Sequence, residues 1–581
     1  MRLFPVLLLF FSLLSCTAPG PLSNSSTQLL ESSHKSTESS RGVVASAHPL
    51  ASAAGLQILQ EGGNAIDAAV ATSFAISVLR PQSTGIGGGG FALLYKKMEG
   101  KVHALDFRER APLKASENMY VNKDGSIKNF SYKKQVVGPA PNDGHLAVGV
   151  PGLVAGLVHM HKNHGSLALS KVMEPAIALA ENGFEVYPSL SKSIQEKENL
   201  LRNFAQSRKI FLPHDKVPLP GQILVQSELA HTLRLIASQG QDIFYRGAIA
   251  DSLVQEMKKG GGLISYKDLS SYKVIEHEPI EGTYRSYKLV GMPPPSSGGT
   301  LIFEILNMLS SDDMGTLKHN SVSYVHLLSE AMRRAFADRT LLGDPKFVKV
   351  PTKGLLSKDY ALQLRHGIDL QKASPSSTIS AGKAFAYESP STTHLSVVDQ
   401  WGNAVSTTQT INDTFGSGVT VAGMVLNNEM DDFSSKPGVP NVYGLVGTFA
   451  NAIAPGKTML SSMSPTLIFN SDNELQYVLG SPGGPRIITA TLQTILNLID
   501  FKFPLDEAVQ SYRIHHQWLP DQISMEANAL PEDVIKELEK MGHTVKVPSW
   551  YFGDVQAIGR LQNGNWIGVS DRRSDGQAKA W

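Results

Sequence analysis

The spacing of hydrophobic residues alternates along the chain between a helical and an extended period. Leu50, Ala53, Leu56 and Leu59 fall on one face of a predicted helix, which Gly62 ends as a C-cap. Similar reasoning predicts further helices at 64–79, 152–164, 170–181, 301–309 and 321–342. Short β-rich runs at 91–95 and 102–107 interrupt them. This mixture indicates an α/β or α+β body.

Two further β-rich runs, 394–399 and 404–411, flank the sequence Gln-Trp-Gly-Asn and predict a hairpin. Thr392 and Thr393 stand at the mouth of its first strand. A Thr hydroxyl is a poor nucleophile without a base, and no Gly-x-Ser-x-Gly elbow is present here. A free α-amino group could supply that base if the bond before the Thr were cut. Taken alone, a Thr-Thr pair at a strand start is ordinary.

Two motifs resemble cofactor-binding sites, but neither lies in the structural context that such a site requires. The glycine-rich stretch 85–90 satisfies G-x-G-x-x-G, but it follows a helix and opens a strand, the reverse of a dinucleotide fingerprint. It is better explained as a loop of close backbone approach. His159 and His161 would point about 200° apart on a helix, and His164 brings no nearby carboxylate or Cys motif. We therefore expect neither a nucleotide cofactor nor a metal.

The overall composition is that of a globular protein. The chain has 581 residues, with 53 basic and 52 acidic residues and a net charge of +1. At 42% hydrophobic and 18% charged residues it can bury a large core. The balanced charge removes the usual signature of a nucleic-acid or membrane-surface binder.

The N-terminus predicts export. Arg2 precedes an apolar run at 3–14, which is too short to span a membrane and is typical of a signal peptide at 1–15. Leu-Leu-Ser-Cys, ending at Cys16, resembles the lipobox of bacterial lipoproteins, and Cys16 is the single cysteine of the chain. The alternative is a plain cleaved signal with an incidental Cys. Thr17 after the Cys favours the outer membrane of a Gram-negative cell, so we expect a lipid-anchored periplasmic protein. The Ser-rich stretch 16–41 is expected to be a flexible tether.

Several motifs occur in an order that resembles the γ-glutamyltransferase (γ-glutamyl transpeptidase) family. The resemblance covers the body from about 42 to 581. The motifs are Gly-Gly-Asn-Ala-Ile-Asp-Ala-Ala (62–69), 85–91, Asp-Phe-Arg-Glu (106–109), Val-Pro-Gly (150–152), Leu-Asn-Asn-Glu-Met-Asp-Asp-Phe (426–433), 437–444, Ser-Ser-Met-Ser-Pro-Thr (461–466) and Gly-Ser-Pro-Gly-Gly (480–484).

The resemblance implies a precursor that cuts itself. It implies an α+β fold, the four-layer αββα sandwich of N-terminal-nucleophile (Ntn) hydrolases, with cleavage between Ser391 and Thr392. A large subunit, 42–391, and a small subunit, 392–581, would remain associated as a heterodimer. Thr392 would be the nucleophile and Thr410 would orient or polarise it.

The same resemblance implies a pocket for a zwitterionic γ-glutamyl group. A guanidinium and two hydroxyls suit its α-carboxylate, and polar or acidic side chains suit its α-ammonium. The implied residues are Arg108, Ser461 and Ser462 for the carboxylate and Asn412, Glu429 and Asp432 for the ammonium.

Two glycines and a loop complete the implied site. Gly483 and Gly484 could aim backbone N–H groups at an oxyanion, and Pro485 after them removes neither donor. The loop 437–447 matches the family's substrate-covering lid, with Tyr443 as gate residue. The presence of this lid favours a true γ-glutamyl enzyme over a broader acylase.

The sequence is compatible with three functions. The leading one is γ-glutamyl transfer and hydrolysis, with glutathione as donor, water, amino acids or peptides as acceptors, and no cofactor. The second is an Ntn amidohydrolase of the same fold that acts on other acyl amides, as cephalosporin acylases do. The third is a non-catalytic lipoprotein that binds a γ-glutamyl compound.

Overall fold

Two seven-stranded antiparallel sheets form the centre of the protein. The computed structural model describes residues 35–380, 392–434, 449–548 and 552–581. Sheet A contains, in spatial order, Ser36–Ser39, Trp566–Ser570, Gln556–Arg560, Leu475–Gly480, Thr466–Phe469, Tyr287–Gly291 and Ile280–Tyr284. Sheet B contains Gln577–Ala580, Val43–Ser46, Thr393–Val398, Ala404–Thr410, Gly89–Lys96, Lys101–Asp106 and Ile275–His277.

Alternation along the strands gives each sheet two apolar faces. In sheet B, Leu93 packs toward sheet A whereas Leu94 packs toward helices. In sheet A, Leu467 faces sheet B and Ile468 faces the opposite helical layer. Because both faces of both sheets are covered, the molecule has three stacked cores and therefore four layers. The predicted αββα sandwich is confirmed.

Helices cover the outer faces of the two sheets. The helices that share the core on the outer side of sheet B include Pro49–Gln60, Ala65–Leu79, Leu153–His164, Leu169–Asn182, Ser227–Gln239 and Ala248–Gly260. Those that share the core on the outer side of sheet A include Gly298–Leu309, Val322–Asp338, Lys358–His366, Arg486–Ile499, Leu505–Gln510 and Glu532–Lys540. Further short helices are Pro188–Glu196, Glu198–Arg202, Ala205–Phe211, Asp242–Tyr245, Tyr266–Ser270 and Thr352–Leu355.

The predicted helices and the hairpin form, with two corrections. The first helix buries the predicted face only in part: Leu59 is buried but Leu50 is 43% exposed, while Ala51, Ala54 and Ile58 are also buried. Small residues let this helix lie close to its neighbour, which outweighs the pattern of larger side chains. The helix predicted over 321–342 ends at Asp338 and continues as a 3₁₀ turn over 339–341.

The C-terminal end of the predicted tether is structured. Ser36–Ser39 pairs with Trp566–Val569 as an edge strand of sheet A. The Arg41 guanidinium lies 4.4 Å from the ring centroid of Trp581. The prediction of a flexible segment reaching residue 41 is therefore wrong for its last residues. Backbone hydrogen bonds in the sheet hold them in place, although their polar side chains bury little apolar surface.

Close backbone approach explains the glycine-rich stretch, as predicted. A Cβ on Gly88 would lie 2.0 Å from the Thr410 carbonyl oxygen, and one on Gly90 would lie 2.4 Å from the Thr408 oxygen. The stretch opens the strand Gly89–Lys96, which pairs with Ala404–Thr410. In the part of the chain that the structure describes, no helix is long and apolar enough to cross a membrane.

Candidate active site

Two threonine hydroxyls lie together at one end of sheet B. Thr392 precedes the central strand Thr393–Val398, and Thr410 ends the neighbouring strand. Their Oγ1 atoms are 3.4 Å apart, with Thr392 donating, and the backbone N–H of Asn412 donates to Thr410 Oγ1 at 2.8 Å. Both side chains are buried. The predicted nucleophile and its orienting hydroxyl are therefore in contact.

Arg108 is the centre of a buried cluster of charges. Its Nη1 donates to Glu429 at 2.7 Å, its Nη2 donates to Asp432, and its Nε donates to the Met459 carbonyl at 3.0 Å. The three charged side chains are almost completely shielded from solvent. The residues predicted to bind opposite ends of a zwitterionic donor thus form one hydrogen-bonded network.

Burial controls the ionisation of the two acids. Desolvation raises the pKa of Glu429 to about 8, although Arg108 opposes the shift, and the negative charge of Asp432 adds to it. Desolvation likewise raises the pKa of Asp432 to about 6, against the positive charges of Arg108 and Arg339. The two carboxyls can accept a cation well, but only once they have lost their protons.

Asparagines surround the hydroxyl pair and the charge cluster, and Asn412 links the two. Asn412 donates through Nδ2 to the Asn428 carbonyl at 3.0 Å, directly before Glu429. Asn427 donates through Nδ2 to the carbonyls of Gly87 and Gly149, at 2.8 and 2.9 Å. Asn412 has a φ of 74°, a left-handed conformation that Asn tolerates better than most residues. A chain of hydrogen bonds therefore connects the predicted nucleophile, through Thr410 and Asn412, to the segment that carries Glu429.

Ser461 and Ser462 lie beside this cluster. They follow Met459 and Leu460, whose carbonyls accept from Arg108. Ser461 Oγ accepts from the Met463 N–H at 3.1 Å, and Ser462 Oγ accepts from Arg339 Nη2 at 3.1 Å. Both serines are buried.

Gly483 and Gly484 connect a strand of sheet A to a long helix. They precede the helix Arg486–Ile499, with φ values of +129° and +60°. The strand Leu475–Gly480 packs on the strand Thr393–Val398, since a Cβ on Gly480 would lie 2.4 Å from the His394 ring. A helix N-terminus favours negative charge, which suits the predicted oxyanion role.

Three predicted positions lie outside the described residues: Cys16, Ser391 and Tyr443. The same holds for the lid 437–447 and the signal peptide. Among the residues that are described, no group of three His, Cys, Asp or Glu could hold a metal ion.

The structure adds three buried residues that the sequence did not single out. Asn451 donates through Nδ2 to the Asp432 carbonyl at 2.6 Å and accepts from the Leu460 N–H at 3.0 Å. Burial and the charge of Glu429 raise the pKa of Glu109 well above its usual value. Arg339 bonds Ser462. Glu109 is adjacent to Arg108 in its motif and could have been suspected, whereas nothing local in the sequence marks Asn451 or Arg339.

A four-layer αββα sandwich with a threonine at the start of a central strand defines the class of Ntn hydrolases. Within that class, residues 51–581 match the family model described as Gamma-glutamyltranspeptidase. The chain belongs to the γ-glutamyltranspeptidase family.

Individual relatives agree with this assignment. The chain is 46% identical over 538 residues to the glutathione hydrolase proenzyme of Escherichia coli K12, covering 92% of this chain and 90% of that protein. The cephalosporin acylase of Bacillus halodurans superposes with a TM-score of 0.82 at 29% identity, covering 97% and 99% of the two chains. The γ-glutamyltranspeptidase of Helicobacter pylori gives a TM-score of 0.55 at 40% identity, covering 62% of this chain and 97% of the other.

Proposed function

We propose that this protein transfers and hydrolyses γ-glutamyl groups, with glutathione as a donor, after cutting itself before Thr392. The proposal is based on one observation: a pair of threonine hydroxyls and a buried cluster of charges are connected by hydrogen bonds. The hydroxyl pair Thr392–Thr410 supplies acyl chemistry, and the cluster of Arg108, Glu429 and Asp432 supplies fixed charges of both signs. A γ-glutamyl group needs both features, because it carries a carboxylate and an ammonium beside the acyl group.

In this mechanism Thr392 Oγ attacks the γ-carbonyl carbon and its proton passes to the freed α-amino group. The carbonyl oxygen takes the negative charge, which the N–H groups of Gly483 and Gly484 would stabilise; one such donor is worth about 2.7 to 4 kcal/mol of barrier. Collapse breaks the amide C–N bond, and the leaving amine takes the proton. Water or an acceptor amine then releases the γ-glutamyl group from Thr392.

The interlocked sheets explain how two subunits would stay together after cleavage. Sheet B contains Val43–Ser46 and Gly89–Lys96 from the large part and Thr393–Val398 and Ala404–Thr410 from the small part. Sheet A likewise draws on both parts. Cutting one peptide bond leaves these pairings and all three cores intact, so the cut chains would separate only on unfolding.

Substitution of the nucleophile tests the proposal. Thr392→Ala should give one full-length band on a denaturing gel and no turnover of a γ-glutamyl anilide. Wild-type protein should give two bands, with Thr392 at the N-terminus of the smaller one. Thr393→Val is the matched control, since it removes the neighbouring hydroxyl and should leave both cleavage and turnover. A Thr392→Ala protein that still splits before residue 392 would contradict self-cleavage.

The acylase alternative is supported by the similarity to the Bacillus halodurans cephalosporin acylase. A glutaryl group presents a carboxylate without an ammonium, so such an enzyme would have no use for two carboxylates in its pocket. Glu429 and Asp432 therefore favour γ-glutamyl over glutaryl donors.

We also propose that the enzyme is displayed in the periplasm on a lipid attached to Cys16. The support is the lipobox-like sequence and the absence of any other cysteine. Cys16→Ser should abolish labelling by radioactive palmitate and move the protein from the membrane to the soluble periplasmic fraction, or leave it as an unprocessed precursor. Membrane retention of a fully processed Ser variant would indicate a peripheral contact instead.

A further inference from the structure

Arg339 is a second buried arginine next to the carboxylate side of the site. It lies just after the helix Val322–Asp338 and contacts two serines from different segments. Its Nε donates to Ser297 Oγ at 2.8 Å, and its Nη2 donates to Ser462 Oγ at 3.1 Å. Neither the sequence motifs nor the family comparison gives it a role.

The Arg339–Ser462 hydrogen bond determines which way the hydroxyl proton of Ser462 can point. A guanidinium has donors and no acceptor, so the Ser462 oxygen must accept. A serine hydroxyl has a single proton, and that proton cannot lie along a bond in which the oxygen accepts. It is therefore available to an acceptor on another side of Ser462.

The hydroxyl of Ser461 is oriented in a matching way by the backbone N–H of Met463. Its Oγ accepts from the Met463 N–H, which leaves its hydroxyl proton as a donor too. Arg339 also supports Ser461 indirectly, because Ser297 Oγ, which it holds, donates to the Ser461 carbonyl at 2.7 Å. Two adjacent hydroxyls are thus set as donors, which is the arrangement that an anion needs.

We propose that Arg339 is a positioning residue that turns the Ser462 hydroxyl into a dedicated donor for the α-carboxylate of the γ-glutamyl donor. Arg339 acts through Ser462 and need not touch the substrate itself. The inference rests on the proposed function, in which Ser461 and Ser462 bind that carboxylate.

Two anilides separate a carboxylate effect from a general one. γ-Glutamyl anilide carries carboxylate and ammonium, while 4-aminobutyryl anilide keeps the ammonium and lacks the carboxylate. Arg339→Lys keeps the charge but cannot hold both serines. It should raise KM for the γ-glutamyl anilide with little change in kcat, lowering kcat/KM about tenfold, as expected for a hydrogen bond to a charged group. The 4-aminobutyryl anilide should be almost unaffected.

A double-mutant cycle shows whether Arg339 acts through Ser462. Ser462→Ala should lower the ratio of the two kcat/KM values, and adding Arg339→Lys should lower it little further. Arg334→Lys is the matched control: this buried guanidinium bonds Glu330 on the same helix and should change stability without changing the ratio. All variants are compared after cleavage into subunits is verified on a gel.

The outcomes are distinct. Equal losses on both anilides, or fully additive effects with Ser462→Ala, would show a merely structural role and overturn the proposal. An unchanged ratio in Ser462→Ala alone would remove the serine from the carboxylate site, so the pocket assignment of the proposed function would fail together with the inference. If Arg339→Lys gives no processed protein, Ser297→Ala loosens the same guanidinium and should lower the ratio by a smaller factor; no change there would overturn the proposal.

Discussion

Arg108 and Glu429 form a buried ion pair, with 2.7 Å between Nη1 and Oε1. The same guanidinium also bonds Asp432, so one cation lies between two acids. A zwitterionic donor entering this site would bring a carboxylate and an ammonium to a network that already holds both signs. Exchanging partners within such a network costs less than burying new unpaired charges.

The raised pKa values of the two acids predict how donor recognition depends on pH. An ammonium is held by ionised carboxyls, and these are protonated below the pKa of about 8 for Glu429 and about 6 for Asp432. Preference for γ-glutamyl over glutaryl anilide should therefore fall as pH is lowered through this window, by about tenfold or more. The ratio of kcat/KM values is the measurement, since the α-amino group of Thr392 affects both substrates alike. A ratio that rises toward acid pH would contradict the assignment.

The position of Thr410 predicts a role in both cleavage and turnover. Its Oγ1 accepts from Thr392 and from the Asn412 N–H, so Thr410→Val removes the acceptor that aligns the nucleophile. We expect self-cleavage and turnover to slow by about a hundredfold, a typical value for loss of a positioned proton acceptor. Thr410→Ser should restore most of both rates. Time courses on gels and with the γ-glutamyl anilide check this, and a Val variant with normal rates would exclude Thr410.

The planar fork of Arg108 predicts that lysine cannot replace it. Arg108→Lys should raise KM for γ-glutamyl anilide about tenfold or more, because one ammonium cannot hold Glu429, Asp432 and the Met459 carbonyl together. Cleavage into subunits should continue. Arg110→Lys is the control, since Arg110 bonds the Lys273 carbonyl outside the charge cluster. Normal KM in processed Arg108→Lys protein would remove Arg108 from the donor pocket.

The edge strand Ser36–Ser39 predicts a stability difference between two truncations. A chain that begins at Gly42 loses this strand and the Arg41 contact with Trp581, while one that begins at Lys35 keeps both. The shorter chain should melt at least about 2 °C lower. Activity per folded molecule should be the same, because the strand pairs at the sheet edge and not at the site. Calorimetry of the two proteins checks the difference, and equal melting temperatures would show that the strand contributes nothing.

The sequence pattern predicted those elements that are stabilised by residues close to them in the chain. The helix Ala65–Leu79 was predicted well because Asn64 and Asp67 form a capping box before a continuous apolar run. The strand Ser36–Ser39 was missed because polar Ser and Thr residues carry no apolar alternation there, and its stability comes from Trp566–Val569, more than 500 residues away. The residues of the strand itself therefore give no indication of this distant pairing partner.

The candidate site divides in the same way. Thr392, Arg108, Glu429 and Asp432 lie in contiguous motifs, and the structure brings them into the expected neighbourhood. The direct pairing of Arg108 with both acids was not predicted, because a list of residues does not show which charges meet. Asn451 and Arg339 were missed for a related reason, since each acts on a site residue from a separate segment.

Neutralising Asp432 distinguishes the γ-glutamyl enzyme from the broader acylase. If Glu429 and Asp432 hold the α-ammonium, Asp432→Asn should weaken γ-glutamyl substrates and spare glutaryl analogues, which have no ammonium to lose. Breaking one side of a buried, hydrogen-bonded charge pair costs on the order of 2 to 5 kcal/mol. The preference for γ-glutamyl over glutaryl anilide should therefore fall by more than about tenfold.

The matched control for this last test is Asp431→Asn, which neutralises the adjacent buried acid. Burial and the charge of Asp432 raise the pKa of Asp431 well above its usual value, which disfavours the charged form of Asp431, so we expect the change to leave the preference intact. Asp432 differs because it bonds the Arg108 guanidinium directly. If Asp432→Asn leaves the ratio of specificity constants unchanged while Asp431→Asn also does nothing, these acids do not read the ammonium. The acylase would then be the better description of the enzyme.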